Sequence, residues 1–362
     1  MSGPRIAIVG GGMWGTTLAV RLAERGPVTL VVRTAERARA LNETSENPRL
    51  RGVPIPGAVA ITAEPAAVED AKDLVIFALP CAAMRFVASA LSRHVVPAAV
   101  VLSVAKGLES GTHRRMTEVL VEEIPGNAAQ VAALSGPNLA LEIVRGLPAA
   151  AVVASADDAV SGAVVTLLGG PGFRLYRNRD VIGVELAGAL KNVIAIAAGA
   201  AEQLGAGDNA KASLVTRGLA EMTRLGAAAG AHPLTFAGLA GLGDIVATCW
   251  SPLSRNHRLG AELAAGKPWI QVEATLPGVA EGAYTVVAAL AMGERLGVEL
   301  PIAAEVHAAL YGGKPVQSCI ADLMSRSSKD ELESLGAAAG LAEATGLAEA
   351  LEASARMPPI GA

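Results

Sequence analysis

The residues of this 362-residue chain that could do chemistry are two lysines, an aspartate and a short run of donors. Lys191 lies in Glu185-Leu186-Ala187-Gly188-Ala189-Leu190-Lys191-Asn192-Val193-Ile194-Ala195-Ile196. On a helix its neighbours three and four positions away are Ala187, Gly188, Ile194 and Ala195, all small or apolar, so the helix is expected to be buried nearly all round. Lysine seldom sits inside without a partner; the plainer reading is a stem lying on apolar surface with its head in water. Burial disfavours an ammonium, which makes a buried lysine usable as an acid or base near neutral pH. A second lysine, Lys106, stands directly after the apolar run 99–104 and would push the same way if close. Asp244 follows Gly238-Leu239-Ala240-Gly241-Leu242-Gly243 and is either a functional carboxylate or a helix cap. Ser254-Arg255-Asn256-His257-Arg258 concentrates donors in five residues, suited to an anion because arginine offers a planar fork to phosphate; a polar helix start is the alternative. His257 has no metal-ligand companions at useful spacing and reads as structural; no metal is expected. In Gly207-Asp208-Asn209-Ala210-Lys211, Asp208 or Asn209 reads as a helix cap.

The elements that must position these groups begin with Arg5-Ile6-Ala7-Ile8-Val9-Gly10-Gly11-Gly12-Met13-Trp14-Gly15, an apolar strand, a glycine turn and a helix from about Thr16 to Arg25. Gly10, Gly12 and Gly15 fit G-x-G-x-x-G: a tight turn, room for a pyrophosphate, and close helix–strand packing, with the helix start offering free N–H groups to phosphate. The strand 28–33 ends in Arg33, with Thr34 and Arg37 close behind and no acidic residue at the strand end, although Glu36 is nearby. An arginine there accommodates the 2′-phosphate of NADP, whereas NAD calls for a carboxylate, so the sequence favours NADP and leaves NAD possible. Residues 42–57 read as a turn-rich connection, and further strands are expected at 73–79, 99–104, 131–134, 149–154 and 173–176. Continuous apolar strands alternating with helices indicate a parallel sheet covered on both faces. The glycine turn, Arg33, Lys106 and Gly136-Pro137-Asn138 all follow strand ends, where such sheets bind ligands. From Val181 strand signals fade. The expected organisation is α/β: a Rossmann-type parallel-sheet domain over 1–180, an all-helical domain over 181–331, and an Ala/Glu-rich tail over 332–362 with a near repeat at 340–351.

Composition removes several alternatives. Aromatics are only 3% and net charge is −4, which disfavours stacking or electrostatic binding of nucleic acid. Mean hydropathy is +0.42, yet the longest tempting uncharged stretch, 225–243, carries His232, Pro233 and many glycines, so no convincing membrane span is expected. The first strand begins at once, leaving no room for a signal peptide. Cys81, Cys249 and Cys319 are odd in number and far apart, which points to buried thiols in a reducing, cytoplasmic setting.

Over residues 4–328 the chain closely resembles the bacterial NAD(P)-dependent glycerol-3-phosphate dehydrogenases. The resemblance rests on the glycine turn, Ala105-Lys106-Gly107-Leu108-Glu109, Ser135-Gly136-Pro137, the Glu185 to Asn192 block, Gly207-Asp208-Asn209-Ala210-Lys211, Gly241-Leu242-Gly243-Asp244 and Ser254-Arg255-Asn256. It implies interconversion of dihydroxyacetone phosphate and sn-glycerol 3-phosphate, feeding glycerophospholipid synthesis, by a cytoplasmic enzyme that is commonly dimeric. By that resemblance Lys191 is the general acid/base, tuned and oriented by Lys106 and Asp244. Lys106, Gly136, Asn138, Asp244, Ser254, Arg255 and Asn256 match substrate contacts, the Arg255–Asn256 pair holding the phosphate. Gly10, Gly12, Met13, Trp14, Gly15, Arg33, Lys106, Ala140, Arg255, Val279 and Glu281 match cofactor contacts. The implied reaction passes a hydride from the nicotinamide to the C2 carbonyl while Lys191 protonates the alkoxide. One departure is Asn138, where the family usually has serine or threonine; a bulkier amide changes the geometry of that contact. Two other readings are a related reductase for another small phosphorylated or carboxylated ketone, and a dinucleotide-binding sensor without turnover. The sensor has no need to keep Lys106, Lys191 and Asp244 together.

Overall fold

The computed structural model describes residues 3–327; the tail expected at 332–362, and the last few residues of the expected helical domain, lie outside them. The strands are β1 (Ile6–Val9), β2 (Val28–Val31), β3 (Val59–Thr62), β4 (Leu74–Phe77), β5 (Val100–Ser103), β6 (Val131–Ser135), β7 (Ala149–Ala154) and β8 (Phe173–Asn178). Interleaved with them are α1 (Met13–Leu22), α2 (Ala35–Thr44), α3 (Cys81–Leu91), α4 (Met116–Glu123), α5 (Ala140–Val144) and α6 (Asp158–Leu168). Helices alone follow: α7 (Val181–Gln203), α8 (Gly207–Ala228), α9 (Asp244–Trp250), α10 (Arg255–Ala264), α11 (Trp269–Thr275), α12 (Glu281–Leu296), α13 (Pro301–Tyr311) and α14 (Val316–Ser325).

The strands form one sheet in the order β3-β2-β1-β4-β5-β6-β7-β8. Alternation along each strand feeds two layers. Ile6, Ile8, Leu74, Ile76 and Leu102 pack with α1, α2 and α6, while Ala7, Val9, Val75, Phe77 and Val101 pack with α3 and α4. This is the doubly wound arrangement that continuous apolar strands require.

Three details depart from the sequence reading. The strand β7 is antiparallel to β6, Leu134 facing Val153, so β7 and β8 run against the other six strands. A chain that turns back after β6 keeps the same burial pattern, so composition does not distinguish the two directions. The edge strand β3 was not expected: it has four residues, only Val59 is buried, and prolines precede and follow it. Finally, α1 begins at Met13, three residues early, and ends at Leu22.

The helices gather around α7, which buries eighteen of its twenty-three residues. Small residues let neighbours touch its backbone. A Cβ on Gly199 would lie 1.9 Å from the His257 carbonyl oxygen, and one on Gly260 would lie 1.8 Å from that of Ile196. A side chain at either crossing would therefore push α7 and α10 apart. By length and composition alone α7 could cross a membrane, as could Pro233–Trp250, and the sequence reading did not single out α7 for this. The apolar window of α7 is 83% buried within the fold, as a core helix is. The buried carboxylate of Glu185 ties α7 to the sheet layer: it accepts from Arg115 Nη1 (2.8 Å), the Thr117 amide (2.9 Å) and the Thr117 hydroxyl.

Candidate active site

The glycine turn joins β1 to α1. Gly10 has φ +119°, and a Cβ there would come 2.3 Å from the Ala78 carbonyl oxygen; a Cβ on Gly15 would come 1.9 Å from that of Gly10. Only glycine satisfies both. A Cβ on Gly12 would meet nothing within 4 Å, so the start of α1 is open to a ligand. The Trp14 indole packs edge-on against Phe173, and its Nε1 is buried with no partner among the described residues. An unpaired buried donor is costly, and a ligand that accepts from it removes the cost. Ala140 opens α5 beside this turn, its carbonyl accepting from the Thr17 hydroxyl (3.2 Å). Arg33 is exposed just beyond β2, and Thr34 caps α2.

Asn47 escaped the sequence reading because it lies among turn residues. It is fully buried and donates to the Gly11 carbonyl (3.2 Å) and to Thr16 Oγ1 (2.8 Å), while its own oxygen accepts from Arg37 Nη2 (3.3 Å). One amide thus braces the glycine turn and holds Arg37 beside it.

The two lysines meet at one carboxylate. Lys191 Nζ donates to Asp244 Oδ1 (2.9 Å), and Lys106 Nζ donates to Asp244 Oδ2 (2.7 Å) and to the Gly136 carbonyl (2.6 Å). Asp244 is therefore not the helix cap that its position also allowed. It is the first residue of α9, continuous with the turn of π-helix Leu239–Gly243, and it is 2% exposed. Thr248, one turn further along α9, accepts from Lys191 Nζ (2.6 Å) and donates to Asp244 Oδ1 (3.1 Å). The sequence reading missed it, although the i, i+4 spacing from Asp244 was there to be seen.

The electrostatics follow from burial and pairing. Burial lowers the Lys106 pKa to about 8; Asp244 opposes the shift and the Lys191 ammonium adds to it. Burial works against the Asp244 carboxylate too, but Lys106 and then Lys191 outweigh it and hold Asp244 below its ordinary value. With two ammoniums on one carboxylate, the unit carries net positive charge next to the loop Gly136-Pro137-Asn138. Both polar atoms of the Asn138 amide are buried and have no partner among the described residues.

The remaining candidates divide. Asn256 is drawn into the structure: its Nδ2 donates to Asn192 Oδ1 (2.8 Å) and its Oδ1 accepts from the Gly282 amide (3.0 Å). Asn192 in turn donates to the Lys106 carbonyl (3.0 Å), so this amide chain links α12, α10 and α7 to the strand end that carries Lys106. Ser254 caps α10, accepting from the His257 amide (3.2 Å), as its plainer reading anticipated. Arg255 keeps its side chain exposed near Gly278, with Glu281 and Arg49 close enough to act on its charge. Val279 is half-buried just before α12. Glu281 begins that helix and accepts from the Cys81 amide at the start of α3 (3.1 Å). Burial raises its pKa, against the pull of that amide and of Arg255. Neither Asp208 nor Asn209 caps α8, which starts at Gly207 with no side-chain cap; Asp208 lies in its first turn, where the helix dipole favours a negative charge.

A cavity of about 660 Å³ lies elsewhere, between β7, β8 and the segment around Leu234 to Ala240. None of the candidate site residues lines it, although Gly238, Leu239 and Ala240, which precede Asp244 in the chain, do. Among the described residues no three His, Cys, Asp or Glu side chains are grouped to hold a metal ion. All three cysteines are free and buried.

Residues 5–161 match the family model of the NAD-dependent glycerol-3-phosphate dehydrogenase N-terminus, and residues 180–321 that of its C-terminus. A glycerol-3-phosphate dehydrogenase (NAD(P)+) of Moorella thermoacetica is 47% identical over 91% of this chain and 98% of its own. The chain belongs to the NAD-dependent glycerol-3-phosphate dehydrogenase family. Another member, from Streptomyces avermitilis, is 45% identical over 91% of this chain and 99% of its own. The fold agrees: the crystal structure of a glycerol-3-phosphate dehydrogenase from Coxiella burnetii superposes with a TM-score of 0.84 at 34% identity, covering 90% of this chain and 99% of that one. Within this family chain, Lys106, Gly136, Lys191 and Asp244 form one hydrogen-bonded unit, while Arg33 and Arg255 stand outside it with exposed side chains.

Proposed function

We propose that the unit around Asp244 performs the proton chemistry by which this protein interconverts dihydroxyacetone phosphate and sn-glycerol 3-phosphate with a nicotinamide dinucleotide. The observation that carries the reading is the buried Asp244 carboxylate shared by two lysine ammoniums, one from the sheet layer and one from α7. The open backbone at Gly12 and the unpaired Trp14 Nε1 suit a dinucleotide, with Met13, Gly15, Ala140, Val279 and Glu281 around its path. Bound there, a reduced nicotinamide would supply the hydride. Lys191 presents its ammonium to the oxygen at C2, polarising the carbonyl and giving up a proton as the alkoxide forms, a contribution of about 10²–10⁴ in rate. Asp244 and Thr248 fix the direction of the Lys191 Nζ. Lys106 keeps a second positive charge beside Gly136, and Arg255, at the start of α10, is placed to hold the phosphate with charge-assisted bonds. Asn256, the other member of the phosphate-holding pair, is fixed by its bonds to Asn192 and Gly282, which use one of the two N–H groups of its amide.

The direct test follows NADPH oxidation with dihydroxyacetone phosphate, repeated with NADH and with other small phosphorylated and carboxylated ketones. Turnover with the phosphorylated triose is expected; binding of NADPH without turnover of any ketone would overturn the assignment in favour of a sensor.

We infer a preference for NADP from Arg33, exposed at the end of β2 with no acidic residue immediately following. Arg33→Glu is expected to lower the ratio of kcat/KM for NADPH over NADH by about tenfold or more, through lost attraction and added repulsion at one phosphate. An unchanged ratio removes Arg33 from the cofactor reading.

Asn138 gives a prediction that separates stability from function. Its amide is buried and unpaired. Asn138→Ala is expected to stabilise the ligand-free protein by about 1 kcal/mol while raising the KM for dihydroxyacetone phosphate, because the substrate is the missing partner. Thermal melts with steady-state kinetics check it; a less stable variant with normal KM would show that the amide serves packing.

A cytoplasmic homodimer completes the proposal. The three unpaired buried thiols suit a reducing compartment. Leu242, Val246, Trp250 and Leu253 leave 40–54% of their surface exposed along α9 and its flanks, a face that a second copy can cover.

A further inference from the structure

The motif Gly207-Asp208-Asn209-Ala210-Lys211 has no part in the chemistry above, yet its lysine is 7% exposed. Lys211 Nζ pairs with the Glu202 carboxylate and lies 5.0 Å from the centre of the Trp250 ring. Glu202 also faces His257 Nε2 at 3.3 Å. Glu202 lies in the last turn of α7, where the dipole opposes an anion, and Lys211 is held nearly buried one turn into α8. A carboxylate placed against its local field beside a buried ammonium indicates a tertiary role.

That role follows from what each member touches. Trp250 ends α9, the helix that carries Asp244 and Thr248. Shortly after it in the chain, Ser254 caps α10, which starts with Arg255, and the His257 amide is the group that Ser254 caps. The lysine therefore grips the end of the helix that orients Lys191, while the carboxylate grips the first turn of the helix that presents Arg255. The α7–α10 crossing at Gly199, directly under the His257 carbonyl, gives this grip a rigid base.

We propose that the Lys211–Glu202–His257 cluster, with Trp250 against the lysine, clamps the corner between α9 and α10 and so sets the position of Arg255 relative to Lys191. Lys211 and Glu202 are then positioning residues for the phosphate end of the substrate. The inference rests on the reading of Arg255 as the phosphate-holding group.

The test compares dihydroxyacetone phosphate with dihydroxyacetone, which has the same carbonyl and no phosphate. Lys211→Met keeps the stem and removes the charge. It is expected to raise the KM for dihydroxyacetone phosphate about tenfold, with kcat at saturation and kcat/KM for dihydroxyacetone held within about threefold. Lys211→Arg is expected to restore the KM. Equal losses on both substrates would overturn the clamp in favour of a general packing defect, and no loss on either would overturn it outright. Should Lys211→Met fail to fold, Glu202→Gln, on the half-exposed partner, carries the same comparison. Arg255→Lys run alongside keeps the two readings apart. If it leaves the KM for dihydroxyacetone phosphate unchanged, the phosphate assignment fails; if it raises the KM and neither clamp variant does, the clamp alone fails.

Discussion

Lys191→Ala is expected to lower kcat by about 1,000-fold or more while cofactor affinity stays within about threefold of the parent. The ammonium does two things at the same oxygen: it polarises the carbonyl and it delivers the proton. Removing a positioned general acid costs about 10²–10⁴ in rate, and removing an oriented donor at a developing oxyanion costs about 10²–10³. The two are not additive, since one group performs both. The fold should survive, because the variant leaves Asp244 with Lys106 still bound at 2.7 Å and Thr248 at 3.1 Å. Stopped-flow turnover and a fluorescence titration with NADPH measure the two quantities. A variant that keeps more than a tenth of parental kcat would remove Lys191 from the chemistry.

Asp244→Asn is expected to do damage of another kind, lowering stability and activity together. The carboxylate is the counter-charge of two buried ammoniums, and taking one partner from a buried pair costs about 3–5 kcal/mol because the remaining charge is left in a poor solvent. The amide keeps the shape and one acceptor oxygen, so a loss of about 3 kcal/mol, at the low end of that range, is expected from denaturant melts. The pH profile carries the sharper sign. In the parent, burial places the Lys106 pKa at about 8 although Asp244 pulls it upward. Above that pH the ammonium is lost, so kcat/KM for dihydroxyacetone phosphate should fall as pH rises through about 8. Without Asp244 the upward pull is gone and the neutral lysine is favoured further, so the alkaline limb should move to lower pH. A limb that stays in place, or moves up, would show that Lys106 is not the group being titrated.

How much of this was legible in the sequence depends on the range over which each feature is decided. The β1–turn–α1 unit was legible because its causes are local: the chain must turn at Gly10 with positive φ, and α1 must pass against the carbonyl of that same residue. The burial of α7 was legible because small and apolar residues surround Lys191 at helical spacing. The strand β3 was not, since four residues between prolines, only one of them buried, carry almost no periodic signal. Nor was the reversal at β7, because both directions bury the same side chains. Asn47 looked like one more turn residue, and nothing in the local pattern around Asn256 showed that Asn192 and Gly282 hold its amide.

By itself, then, the sequence determined which chemical groups are available and the local frames that hold a few of them: the glycine turn, an arginine after the second strand, a lysine inside an apolar helix. Whether Asp244 capped a helix or neutralised a lysine was open, because both roles suit an aspartate at the start of a helix. Tertiary structure alone decided it, by bringing Lys106 across 138 residues and Lys191 across 53 to the two oxygens of that carboxylate. The reason is physical. A buried ammonium is tolerable only beside a counter-charge, and the packing of α7, α9 and the sheet supplies it at a distance that no local pattern encodes.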